Sequence, residues 1–89
     1  MSLIGLAGRC DVTSTSLKSL MAGKVPVAVA SKLGVTSSSL QKFIDGGTSI
    51  SLAGKLGILS TNLQEVRNTI GKEGAIGMIL GLLANHKSM

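Results

Sequence analysis

Apolar residues recur along the chain at intervals of three and four, the spacing of one face of an α-helix. Val27, Ala30 and Leu33 form one such stripe, and Gly34 ends it because glycine readily adopts a left-handed backbone. The same reasoning along the whole chain predicts an all-α protein with no β-sheet. Its helices are expected at about 3–10, 14–22, 26–33, 37–45, 49–56, 60–70 and 74–85.

Displacing the sequence by 23 residues aligns it with itself without a gap. Identical or similar residues then coincide in three copies: Ala7, Ala30 and Ala53; Ser14, Ser37 and Ser60; Leu17, Leu40 and Leu63; Arg9, Lys32 and Lys55. Asp11 replaces the turn glycine of the other copies and tolerates left-handed geometry better than most residues. We predict a single all-helical domain over 1–89, with tandem short helix–turn–helix repeats at about 3–24, 25–47 and 48–71 and a C-terminal hydrophobic helix at about 74–86.

The register also predicts the core. Leu40 and Leu63 should be among the most buried residues, as should Ala30 and Ala53, where small side chains let two helices cross closely. Cys10 is the only cysteine and falls in the register of apolar residues, so we expect a small buried hydrophobe rather than a reactive thiol. A lone cysteine suits a reducing compartment, and we expect a cytoplasmic protein.

The closing helix is apolar on nearly all sides and must therefore be covered on nearly all sides. It packs either across the repeats of its own chain or against a second chain, and the pattern favours neither. Three glycines at helical spacing offer a smooth face for a neighbouring helix. We predict a homo-oligomer whose interface contains Ile76, Ile79, Leu80 and Leu83.

Nine Lys and Arg against four Asp and Glu give a net charge of +5. This charge favours anionic partners, although solubility alone explains it equally well. The longest apolar run, 74–84, is shorter than the roughly 20 residues of a membrane span. The first ten residues lack a basic leader and a long apolar stretch, so we expect neither a signal peptide nor a membrane partner.

The spacing Ala-x3-Gly-x5-Leu occurs twice: at Ala30, Gly34 and Leu40, and at Ala53, Gly57 and Leu63. It resembles the helix–turn–helix of bacterial and phage DNA-binding regulators. The resemblance implies that the second helix of each pair enters the major groove of duplex DNA. It also implies a set of DNA-binding residues on those helices: Gln41, Lys42, Asn62, Gln64, Arg67 and Asn68.

One position of every repeat is basic: Arg9, Lys32 and Lys55. Evenly spaced cations could follow a phosphate backbone, so these three complete the predicted DNA-binding set. Alternatively, each could neutralise the carbonyl end of the helix that carries it. Both interpretations are compatible with the sequence.

Catalytic and metal-binding patterns are missing from the sequence. The one histidine, His86, lies near the end, and the four acidic residues are scattered singly. No nucleophile–base pair or set of metal ligands can be assembled from them. We therefore expect no enzyme activity, no cofactor, no metal and no small-molecule substrate.

These observations favour a small helix–turn–helix protein that binds duplex DNA as a homo-oligomer, in a phage-like or regulatory setting. The alternative is a non-enzymatic self-assembling structural or protein-interaction module whose positive charge is incidental. The low content of charged residues, 15%, favours the alternative, whereas the motif spacing favours DNA.

Overall fold

The structure, a computed structural model, describes the backbone of residues 3–87 and the side-chain surroundings of residues 5 and 7–85. The predicted all-α class is confirmed: most of these residues are helical, and none of them forms a strand. The helices are α1 Leu3–Cys10, α2 Ser14–Met21, α3 Val27–Leu33, α4 Ser37–Ile44, α5 Ile50–Leu56 and α6 Ser60–Lys87. The side chain of His86 lies outside the described region.

Hydroxyl side chains fix where three of the helices begin. An N-cap residue accepts a hydrogen bond from an exposed N–H in the first helical turn. The side chain of Thr13 accepts from Ser16 N, that of Thr36 from Ser39 N and that of Ser49 from Leu52 N. The serine and threonine runs between the apolar stripes therefore define helix starts.

Left-handed residues end the first helix of each pair. Asp11, Gly34 and Gly57 have φ values of 58°, 73° and 71°. The N–H after each of them bonds back to an alanine carbonyl: Val12 to Ala7, Val35 to Ala30 and Ile58 to Ala53, each at 3.1 Å. These bonds satisfy carbonyl groups that would otherwise lack partners at the helix end. The turn geometry is thus the same at the three positions that the 23-residue register aligns.

Gly71 divides α6 into two helical segments. We expected separate helices with a gap at 71–73, but the helix runs from Ser60 to Lys87 with only Gly71 in a non-helical conformation (φ 75°, ψ −179°). This region of backbone space is essentially restricted to glycine. One residue therefore turns the chain, and residues 72–87 form a segment that we call the C-terminal segment.

The C-terminal segment lies in the core of its own chain, which corrects the predicted interface. Ile76, Ile79 and Leu83 are buried by the described residues of a single chain, and Leu80 is partly buried. α6 packs against α1 and α3, and the Cys10 thiol donates to the Leu80 carbonyl. Three of the four predicted interface residues are therefore unavailable to another chain, because the intrachain alternative covers them.

The predicted core positions are confirmed. Leu40 and Leu63 are buried, as are Ala30 and Ala53. Cys10 is also fully buried and belongs to the same hydrophobic cluster. The two alanines accept the turn bonds described above, so their small side chains lie where the backbone reverses direction.

Leu63→Ala should lower the free energy of unfolding by about 2–5 kcal/mol, because it leaves a cavity in the core. Ile50→Ala provides a control, since Ile50 is 77% exposed. Urea denaturation followed by circular dichroism measures both. Equal midpoints for the two variants would contradict the assignment of Leu63 to the core.

Gly71→Ala should destabilise the protein by about 1–3 kcal/mol, because alanine is strained in this conformation. Gly77→Ala, in the same helix, should instead stabilise it by about 0.5–1 kcal/mol. A Cβ at either position meets no atom within 4 Å. The difference in stability between the two variants therefore measures the cost of the backbone conformation at Gly71. Thermal unfolding of both variants tests this, and a stabilising Gly71→Ala would contradict the kink.

Candidate nucleic-acid interface

A groove rich in hydroxyl groups lies between α4 and the start of α5. It measures about 340 Å³ and is lined by Ser38, Ser39, Lys42, Thr48, Ile50 and Ser51. The stem of the exposed Lys42 lies against Gly47, where a side chain would collide with it. Hydroxyl groups and a lysine ammonium are ordinary partners of phosphate oxygens. The groove therefore has the chemistry of an anion site beside an exposed helix face.

Two pairs of hydroxyl groups in this region lie within hydrogen-bond distance of each other, which leaves each hydroxyl capacity for a further bond. Ser39 Oγ lies 2.6 Å from Ser49 Oγ, and Ser49 is buried. Ser38 Oγ lies 3.3 Å from Thr36 Oγ1 at the exposed start of α4. Ser38 and Lys42 remain exposed and lie one helical turn apart on α4. They are the side chains of α4 best placed to meet a ligand.

Gln41 and Gln64 hold loops of their own chain, and the structure thereby corrects their predicted role. Gln41 Oε1 accepts from Val25 N at 2.9 Å, and its Nε2 donates to the Gly23 carbonyl at 2.7 Å. One register later, Gln64 Nε2 donates to the Gly46 carbonyl at 2.8 Å. Each glutamine amide is therefore committed to the connection that precedes its own pair of helices.

Arg67 is likewise used inside the chain. Its Nε donates to the Phe43 carbonyl at 2.9 Å and its Nη2 to the Ile44 carbonyl at 2.7 Å. These carbonyls lie at the C-terminal end of α4, where a helix lacks donors of its own and carries partial negative charge. A predicted DNA contact is thus a cap that joins α6 to α4.

Arg9, Lys32 and Lys55 each lie in the last turn of their own helix, as the helix-end alternative predicts, and the two lysines also make contacts with the preceding pair. Lys32 Nζ lies 2.9 Å from Asp11 Oδ2, next to the end of α1. The Lys55 side chain lies against Gly34, which caps α3. Each lysine side chain therefore also reaches the end of the first helix of the preceding pair. Arg9 is exposed in the last turn of α1.

The two predicted asparagines lie on a different kind of surface. Asn62 and Asn68 are exposed on α6, and Asn68 Oδ1 accepts from Gln64 Nε2 at 3.2 Å. Asn62 lines a hollow together with Glu65, Val66, Thr69 and Ile70. A carboxylate and two branched apolar side chains make this part of α6 unfavourable for phosphate. The nine predicted DNA-binding residues therefore do not form one surface.

Sequence reasoning missed the groove and one further helix-end cation. Ser39, Thr48 and Ser51 were not predicted as site residues, although hydroxyl-rich runs precede both α4 and α5. Lys72 lies against Gly23 at the end of α2, and no pattern in the sequence indicates that pairing. The hydroxyl runs are a usable signal, whereas the lysine contact depends on the kink that brings α6 back.

The comparisons with known proteins supply no relative. No protein-family model matches the chain, and no curated protein or solved structure shows significant similarity to it. Among the described residues, no helix is both long and apolar enough to cross a membrane. Within the same part of the chain, no three His, Cys, Asp or Glu side chains are grouped to hold a metal ion.

Arg67→Met should lower the free energy of unfolding by about 1–3 kcal/mol, because it leaves the carbonyls at the end of α4 without a charged donor. Arg67→Lys should restore only part of the loss, since an ammonium lacks the planar fork of a guanidinium. The control is Lys18→Met, which removes the same charge from an exposed position on α2. If the Arg67→Met and Lys18→Met proteins unfold at the same urea concentration, the capping role is wrong.

Proposed function

We propose that the protein is a cytoplasmic, non-enzymatic DNA-binding protein that contacts duplex DNA through α4 and the adjoining groove. The observation that carries the proposal is the groove itself, where Lys42 and several hydroxyl groups lie beside the exposed face of α4. The resemblance of 30–40 to regulator helix–turn–helix motifs supports the same helix. A helix about 10–12 Å wide fits the major groove, which is about 12 Å wide.

The charges around α4 are compatible with this role. Lys42 is exposed and forms no ion pair with another of the described residues, and the net charge of the chain is +5. The nearest acidic group on α4's end, Asp45, accepts weak bonds from Gln41 at 3.3 and 3.4 Å. Asp45 does not line the groove, and Lys42 is the one charged residue among the side chains that do.

The first segment of α6, which is the second helix of the third pair, is a poorer candidate for the DNA contact than α4. Its exposed face carries Glu65 with Val66 and Ile70, which would repel phosphate or leave apolar surface against it. Lys32, Lys55 and Arg67 are engaged at helix ends. We therefore assign the DNA contact to the second pair of helices alone, with Lys42 and Ser38 as the contacting residues.

Lys42→Met should weaken binding to any duplex and reduce the slope of log affinity against log salt by about 0.9, the value for one phosphate contact. Lys18→Met should not change that slope, although it gives the chain the same net charge. Fluorescence anisotropy of a labelled random duplex at several salt concentrations measures both variants.

Asn62→Ala tests which helix makes the contact. It should leave affinity and salt dependence unchanged, since Asn62 lies on α6 away from the groove. An effect equal to that of Lys42→Met would reject the assignment to α4. Loss of all binding by the parent protein at physiological salt, in the presence of competitor, would reject DNA as the partner.

A further inference from the structure

A cleft of about 480 Å³ lies where the end of α3, the helix α5 and the C-terminal segment meet. We call it the leucine cleft, and its main lining residues are three leucines, two lysines and an asparagine: Leu33, Leu52, Leu82, Lys32, Lys55 and Asn85. It shares no lining residue with the groove beside α4. Sites for small ligands measure about 300–1,000 Å³ and combine an apolar lining with a few polar groups. The leucine cleft has both properties.

The leucines give the cleft an apolar wall that is continuous with the protein core. Leu52 is buried, while Leu33 and Leu82 are partly buried and pack against the core cluster. α6 packs against both α3 and α5, so the elements that carry these leucines hold one another in place. The wall is therefore formed without a ligand. An aliphatic chain that lies on it is removed from water, which favours binding.

Lys55 supplies a cation whose N–H groups are available at this cleft. Its Cε and Nζ lie 2.8 and 2.9 Å from the position that a Cβ would take on Gly34. This contact with the end of α3 places the ammonium but uses none of its three donors. Within the described part of the chain, Lys55 forms neither a hydrogen bond nor an ion pair, and its side chain is exposed. An anion can therefore accept from it directly.

The charge around the cleft is positive. Lys32 pairs with Asp11 at 2.9 Å, which uses one of its three donors, and Asp11 does not line the cleft. The lining contains two lysines and no acidic residue. The carbonyl end of α3 contributes a partial negative charge of about half a unit, which is less than the two ammonium groups carry. The cleft thus favours an anion over a cation or a neutral polar group.

We propose that the leucine cleft binds a free aliphatic carboxylate of medium chain length. The chain lies along Leu33, Leu52 and Leu82, and the carboxylate accepts hydrogen bonds from the Lys55 ammonium, with Lys32 beside it. Charge-assisted bonds of this kind are stronger than those between neutral groups. An inorganic anion would leave the apolar wall in water, and an uncharged hydrocarbon would leave the Lys55 donors unused. A carboxylate with an aliphatic chain matches both parts of the cleft.

Titration of the ¹⁵N-labelled protein with octanoate, followed by NMR without DNA, tests the site independently of the proposed function. A ligand of about ten heavy atoms in an open cleft should bind with a dissociation constant on the order of 1 mM. The amides of 31–34, Leu52, Lys55 and Leu82 should shift, and those of α2 should not. Affinity should rise about threefold or more from butyrate to hexanoate and again to octanoate, because each step adds two methylenes.

Two ligands and three variants separate the parts of the cleft. Acetate keeps the charge without the chain, and octan-1-ol keeps the chain without the charge, so each should bind about tenfold or more weakly than octanoate. Lys55→Met should weaken octanoate binding about fivefold or more, whereas Lys55→Arg should retain it. Lys18→Met is the matched control, because it gives the same net charge and Lys18 is exposed on α2. Circular dichroism establishes that each variant is folded.

Several results would overturn the proposal. Octanoate shifts that are absent, spread over the whole chain or confined to the groove beside α4 would reject the leucine cleft as the site. A folded Lys55→Met protein that binds octanoate like the parent would reject the role of Lys55, and acetate that binds as well as octanoate would reject the apolar wall. Binding of phosphatidylglycerol vesicles through the same amides, without binding of octanoate, would reject the free acid as the ligand.

Discussion

The main structural requirement in this protein is to supply hydrogen-bond partners for the backbone groups at the ends of its short helices. An α-helix leaves four N–H groups and four carbonyl groups without internal partners. In helices of seven or eight residues, these groups make up about half of the backbone. The chain meets the demand with hydroxyl caps at helix starts, left-handed residues at the turns and long side chains from later elements. Arg67, Lys55, Lys72 and Gln64 all reach back to connections or helix ends earlier in the chain.

This demand explains why most of the predicted nucleic-acid contacts are occupied. Basic and amide side chains suit phosphates and bases, but they suit exposed helix carbonyls equally well. Gln41 and Gln64 lie 23 residues apart, and both donate to a glycine carbonyl in the connection before their own pair of helices. The loops to which these glutamines bond could not be identified from periodicity. Periodicity indicates which residues share a helix face, but not which part of the chain packs against that face.

Local features of the fold were predictable because each depends on a few adjacent residues. The turn at Asp11 follows from the tolerance of aspartate for left-handed geometry, and the caps follow from hydroxyl residues before apolar stripes. The role of the C-terminal segment was not predictable in the same way. A helix that is apolar on all sides must be buried, but the sequence does not indicate whether Ile79 and Leu83 are buried by their own chain or by another.

The contact between Cys10 and Leu80 joins residues 70 positions apart, which has a consequence for how the protein is made. A ribosome adds about 5–20 residues per second. Roughly 4–14 s therefore pass between the synthesis of Cys10 and that of Leu80. During that interval α1 has no C-terminal segment to pack against, and the thiol that is buried in the folded protein lacks the Leu80 carbonyl as a partner. Among the described helices, the one synthesised latest therefore covers part of the one synthesised first.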